Sequence, residues 1–211
     1  MSSKSHFFRQ SGLNLTLVAQ YDFNNNLIDS IGGNNGTGTD ITFNSGSFGN
    51  EAVFNGSNSF VEIADNDAFT FTDGVDDLPF RIELTLRLES NVQQYIINKR
   101  GVPGTFEWQL IQNFNTFQVA LGNGSASSIL SSSVAFTYVK GNYYNVIIEY
   151  NASKTQNGLR IRVDGVKDTP DPNNPIYLGM SNTSSDVTIG RSGQTSNRYL
   201  NGAISQIKVF K

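Results

Sequence analysis

The side chains available for chemistry in this chain are carboxylates, amides, hydroxyls, amines and guanidiniums, because it has no cysteine and a single histidine, His6. Thiolate chemistry and disulfides are excluded. A Ser-His-Asp set or a histidine-rich metal site lacks its material. Hydrolysis of a glycosidic bond needs two carboxylates flanking that bond, about 5–10 Å apart. Glu83 and Glu89 stand six apart among alternating arginine and apolar residues, and Glu107 has no acid two residues away. The chain reads as a non-enzyme.

Recognition of a sugar asks for less: planar polar groups to meet hydroxyls, and an aromatic ring with a polar tip such as Tyr. The best local cluster is Arg191, Gln194, Asn197, Arg198 and Tyr199, in the loop before the last strand. Loops carried on a rigid scaffold are where binding residues concentrate. Trp108 alternates in phase with Phe106 and Leu110, which predicts core packing and not sugar stacking. The acidic run Asp73-Gly74-Val75-Asp76-Asp77 lacks the alternating oxygens and terminal Glu of an EF-hand, so a solvated loop is expected.

The formal net charge is -3 and the isoelectric point about 5.1, which supplies no basic face for nucleic acid. No run of eighteen apolar residues exists, so no membrane insertion is expected. Residues 1 to 12 carry no apolar core of a signal peptide. They also precede the first periodic strand, so residues 1–14 are expected to form a flexible arm, or to anchor the chain on a partner. Six Asn-x-Ser/Thr sequons, among them Asn35-Gly36-Thr37 and Asn151-Ala152-Ser153, would each risk a sugar in a eukaryotic secretory route. The simpler expectation is a chain that does not meet that machinery.

The elements that must hold these residues are strands. Leu15 to Phe23 alternates apolar and polar positions, and Phe80, Ile82, Leu84, Leu86 and Leu88 alternate with Arg81, Glu83, Thr85 and Arg87. Side chains on a strand point to opposite faces in turn, so each strand has one wet and one buried face. Weaker copies follow at Tyr95 to Ile97, Phe106 to Ile111, Phe117 to Leu121, Tyr143 to Tyr150, Leu159 to Val163, Val187 to Ile189 and Ile204 to Phe210. Turn clusters such as Gly122-Asn123-Gly124 and Asp164-Gly165 separate them. The proline-pinned run 168–175 is expected to cross between sheets. With no helical periodicity, the pattern predicts an all-β, two-sheet antiparallel β-sandwich over residues 15–211.

The ordered motifs resemble laminin-G-like, concanavalin A-like jelly-roll domains. Tyr21-Asp22-Phe23 followed by Asp29-Ser30-Ile31-Gly32 and Asn35-Gly36 resembles their opening strand and loop. Gly49-Asn50-Glu51-Ala52-Val53-Phe54-Asn55-Gly56 resembles their Gly-x-Ala-x-x-Phe-Asp-Gly turn, and Val163-Asp164-Gly165 and Tyr199 to Phe210 their later hairpin and closing strand. The resemblance implies two jelly-roll sheets with adjacent termini. In the hydrolase branch of the fold the acids form Glu-x-Asp-x-Glu, a string absent here. Relatives often hold one structural calcium. Asp22 and the Asn55-Gly56 turn match two of its places, whereas Asn55 replaces the turn's Asp and Ser205-Gln206 stands for the last-strand acid. The expected function is a non-enzymatic carbohydrate or glycoconjugate-binding module, with a glycan or cell-surface polysaccharide as partner. It would act outside the cell or on a virion surface. The alternative is a structural or decorating virion protein, anchored on other virion proteins through the arm.

Overall fold

The computed structural model describes residues 12–101, 105–123, 128–170, 177–193 and 198–211. Two antiparallel sheets face one another. The first runs β13 (Val166–Lys167), β12 (Leu159–Val163), β11 (Tyr143–Tyr150), β6 (Phe80–Leu88), β16 (Asn201–Phe210), β4 (Gly49–Asn55) and β3 (Thr42–Gly46), with β1 (Leu17–Tyr21) also paired to β16. The second runs β14 (Thr169–Pro170), β10 (Ile129–Ala135), β9 (Thr116–Gly122), β8 (Phe106–Asn113), β7 (Gln94–Arg100), β15 (Val187–Ile189), β5 (Phe60–Ile63) and β2 (Thr37–Thr39). The chain changes sheets at Asp168, between β13 and β14, as the proline-pinned run predicts; residues 171–176 lie outside the described residues. Thr16 and Lys211 exchange backbone hydrogen bonds, so the first and last described strands adjoin. The expected arm at residues 1–14 falls mostly outside the described residues, as does His6.

β6 shows the cleanest link from sequence to packing. Its five apolar residues are buried and its Arg, Glu and Thr residues are half-exposed, in strict alternation. Together with Val146, Ile148, Ile161, Ile207 and Val209 they form one wall of the core. Trp108, Leu110, Val119, Leu130 and Ile97 form the other. Trp108 is buried and its indole N–H donates to the Phe69 carbonyl at 2.9 Å.

The second sheet departs from simple alternation. The register opposes Lys99 to Trp108 and Arg100 to Phe106, leaving Glu107 as an extra, unopposed residue. Such a bulge breaks the period. Phe106 therefore leaves the phase expected of it and lies under the Arg100 guanidinium, outside the core cluster, while Glu107 becomes fully buried.

Three charged side chains pin the loops. Asp29 accepts from the backbone N–H groups of Gln20, Ile31, Gly32 and Asn34 at 2.9–3.1 Å. Burial pushes its carboxyl up, but those four donors outweigh it and hold the group below the usual carboxylate range. Asp77 corrects the solvated-loop expectation. Asp73 and Asp76 are exposed, but Asp77 is buried and accepts from Tyr150 Oη (2.6 Å), Tyr177 Oη (2.9 Å) and the Met180 N–H (2.7 Å).

Lys99 is fully buried, and its Nζ donates to Thr70 Oγ1 at 2.6 Å, Asp65 Oδ1 at 2.8 Å and Glu107 Oε1 at 3.0 Å. All three ammonium protons are thus spoken for, which is the condition for burying a charge.

Two outcomes follow from these pins. Lys99→Met should lower unfolding free energy by about 3–5 kcal/mol, because it strands the Glu107 carboxylate without a counter-charge. Adding Glu107→Gln should restore a large part, measured by urea unfolding; additive losses would show that the pair is not coupled. For Asp29, a depressed folded pKa means its stabilisation is complete above the unfolded value of about 4 and is lost as pH falls through the folded value. A Tm-against-pH series should show Asp29→Asn flattening the acid limb relative to the parent; an unchanged limb would assign acid unfolding elsewhere.

Candidate functional site

The register brings Glu62 on β5, Thr188 on β15 and Asn98 on β7 into one row on the outer face of the second sheet. Their neighbours Val61, Ile63, Val187, Ile189 and Ile97 point into the core. Arg100 continues the row. Above it, Gly101, Thr105, the 183–186 segment and Gly193 enclose an open cleft of about 390 Å³, with Glu62, Arg100 and Thr188 at its base.

The cleft is polar and largely pre-formed. Arg100 donates to Gln109 Oε1 at 3.0 Å, and its guanidinium lies 6.0 Å from the Tyr95 ring centroid and 5.6 Å from that of Phe106. Among the described residues no carboxylate lies within ion-pair range of it. Opposite, Arg191 pairs with Glu62 at 2.6 Å and stacks 3.5 Å from the Phe60 centroid. A guanidinium over a ring is attracted by the ring's negative face and loses freedom of rotation.

The 183–186 rim is held from below by the buried ion network. Glu107 Oε1 accepts from the Thr183 N–H at 2.7 Å and from Thr183 Oγ1 at 2.9 Å, and Asp186 Oδ1 accepts the Asp65 N–H at 3.0 Å. Burial pushes the Glu107 carboxyl up, against the pull of Thr183 and Lys99. The far wall is equally tight. A methyl group on Gly193 would lie 1.9 Å from the Arg100 carbonyl oxygen, so only glycine lets that segment pass.

Of the residues singled out from the sequence, Arg191 reaches the cleft edge through its partner Glu62. Its carbonyl also accepts from Asn98 Nδ2 at 2.7 Å, and the Arg198 carbonyl from the Tyr95 N–H at 3.2 Å, so both ends of the loop are tied to β7. Arg198 is exposed and Tyr199 half-buried; Gln194 and Asn197 lie outside the described residues. Sequence reasoning missed Glu62, Arg100, Thr183 and Asp186. They come from three distant stretches, and only the register of β5, β15 and β7 brings them together.

The calcium set does not converge. Asp22 accepts from Gln20 Nε2 and, at 2.7 Å, from Gln206 Nε2. Asn55 sits opposite Asn201, which is five positions before Gln206 on β16, a span of about 17 Å at strand rise. Its Oδ1 accepts from the N–H groups of Ser57, Asn58 and Ser59, which closes the 55–59 turn, and the Gly56 N–H donates to the Leu200 carbonyl. These residues do not fit one shared calcium. Among the described residues no three acidic or histidine side chains cluster as a metal site.

No protein-family model and no curated protein matches the chain. Solved structures do. Domain 4 of AbnA, an extracellular GH43 arabinanase from Geobacillus stearothermophilus, determined in complex with arabinotriose, is 16% identical, with a TM-score of 0.60 over 93% of each chain. The binding domain of Paraclostridial Mosquitocidal Protein 1 is 14% identical, with a TM-score of 0.68 over 92% of this chain and 48% of that one. The binding domain of botulinum neurotoxin DC, determined with rat synaptotagmin II, is 14% identical, with a TM-score of 0.65 over 92% and 48%. The chain spans about half the length of these two toxin domains. At such identities the likeness shows the fold alone: an antiparallel β-sandwich.

Proposed function

We propose that this chain is a non-catalytic carbohydrate-binding module that seats a short stretch of glycan in the cleft between the 183–186 rim and Arg100. The observation that carries this reading is the ring of polar groups around one cavity: the planar Glu62 and Asp186 carboxylates and Arg100 guanidinium, and the hydroxyls of Thr183, Ser185 and Thr188. Vicinal sugar hydroxyls donate to carboxylates and accept from guanidinium in the same plane. The cavity volume falls within the range of about 300–1,000 Å³ usual for small-ligand sites. Arabinotriose in the AbnA domain shows that one domain of this fold is found with a sugar.

Binding and not hydrolysis is favoured by the fate of the acids. A general acid needs a raised pKa and access to the bond it protonates. Glu107 has the first, but it is fully buried beneath Thr183 and Lys99. Glu62 is ion-paired with Arg191, and Asp186 accepts the Asp65 N–H. A single shallow site of this kind binds weakly, and display in many copies, as on a virion surface, would turn it into useful avidity.

The test is an oligosaccharide and polysaccharide array with multivalent protein, followed by titration calorimetry on the best ligand. Arg100→Ala and Asp186→Ala should each weaken binding by about tenfold to a hundredfold, the worth of one or two hydrogen bonds to a charged group. No glycan bound by folded, multivalent protein would sink the reading. Binding should be equal in calcium and in EDTA, since Asp22 is engaged by the Gln20 and Gln206 side chains and Asn55 by its own turn. Loss in EDTA alone would place a metal at the site by other ligands.

A further inference from the structure

The first sheet carries a feature that the core does not require. Phe48, in the turn between β3 and β4, is 60% exposed, yet that turn is held firmly. The Ser47 N–H donates to Tyr143 Oη at 3.1 Å, and Tyr143 Oη donates to Glu51 Oε2 at 2.8 Å. Buried Glu51 is paired with Arg87 at 2.7 Å, and the Arg87 guanidinium lies over the Tyr143 ring. The Phe48 ring meets Tyr143 edge to face, with centroids 5.1 Å apart. A methyl group on Gly46 would fall 2.4 Å from Tyr143 Oη, so the turn has no slack. An exposed ring on a mobile loop is ordinary surface; an exposed ring fixed through five linked contacts is a platform.

From that platform the outward row of β11 continues through Asn145 and Ile147, facing Thr85 and Glu83 of β6, with Gln206 of β16 alongside. Asn145 accepts from Thr85 Oγ1 at 2.9 Å. The Asp164–Gly165 hairpin forms a wall, pinned to the floor by Asn145 N to Asp164 Oδ1 (2.8 Å) and Asp164 N to the Asn145 carbonyl (2.9 Å). Thr85, Glu83, Asn145, Ile147, Gln206 and the Asp164–Gly165 hairpin line an open groove of about 490 Å³; Phe48 stands outside that lining, against Tyr143, which is two positions before Asn145 on β11. Two arginines along it are matched within the sheet, Arg81 with Glu83 and Arg87 with Glu51 and Glu89, while Lys208 stands opposite Glu83 on β16.

We propose that this groove is a second glycan site, independent of the cleft on the opposite sheet. A sugar ring lays its C–H face on Phe48, and the following units set their hydroxyls against Asn145, Thr85, Gln206 and Glu83. The outward row from Tyr143 to Ile147 spans about 13 Å, which suits a short oligosaccharide. Paired arginines, amides and one aromatic platform suit a neutral polyol better than a nucleic acid or a charged peptide. The proposal shares its ligand class with the proposed function but rests on different residues. With sites on both faces, the module can bridge two chains of one polysaccharide.

The test is calorimetric stoichiometry on the whole chain with arabinotriose, and with xylo-, cello- and manno-oligosaccharides of the same length. The parent should show two sites of parent affinity, Phe48→Ala and Arg100→Ala one each with the other weakened about tenfold or more, and the double variant none at parent affinity. Phe48→Ala removes an exposed ring and leaves the core intact, and it should weaken its own site about tenfold. A single site in the parent that survives Phe48→Ala overturns the second site and leaves the cleft standing. A single site lost in Phe48→Ala and kept in Arg100→Ala overturns the cleft instead and supports the groove. A dimer in sedimentation that Phe48→Ala converts to monomer would make the platform a contact between copies and overturn the proposal.

Discussion

The buried ammonium of Lys99 is the constraint on which the functional face depends. An uncompensated charge in a protein interior costs several kcal/mol, so its partners must stay in place. Those partners are Thr70, Asp65 and Glu107, on three separate stretches of chain. Glu107 in turn holds Thr183, and the backbone of Asp65 holds Asp186. The rim of the cleft is therefore positioned in part from inside the molecule, through the buried Lys99–Glu107 pair and the backbone of Asp65. This arrangement has a stated cost. A well-packed apolar replacement of all partners could be as stable, but it would leave the 183–186 rim without an anchor.

The two outer faces solve the problem of an exposed sheet differently. On the first sheet, oppositely charged neighbours pair across strands, as Glu149 does with Arg162, so the face stays wet without a net field. On the second sheet, loops fold back over the strands. β7 is consequently buried on nearly every residue, including Gln94 and Asn98. The cleft lies where that cover stops. A rigid, hydrogen-bonded floor with hydroxyl-bearing walls is what weak, specific polyol recognition needs, since little ordering remains to be done on binding.

Much of the scaffold was legible in the chain. The alternation of β6, the Asp164-Gly165 hairpin and the sheet change near Asp168 all follow from period and turn chemistry. So does the opening loop, where Asp29 gathers four backbone donors. What escaped has a physical reason in each case. β10 is masked by the run Ser131-Ser132-Ser133, yet Ser131 and Ser132 are buried. The bulge at Glu107 cannot be read from a periodic pattern, because a bulge is a break in period. Asp77 looked like one of several solvated acids, but two tyrosine hydroxyls more than seventy residues away make it a core acceptor. The cleft was half-legible: Arg191 is local to a recognisable loop, whereas Arg100 and Glu62 join it only through strand register.

A residue-resolved measurement tests the central claim without altering the protein: two-dimensional amide NMR of the labelled chain titrated with the best glycan from the array. The account predicts saturable shifts at Glu62, Arg100, Gly101, Thr183 to Thr188 and Gly193, the residues around the cleft. Saturable binding that leaves all of these amides unmoved would contradict it.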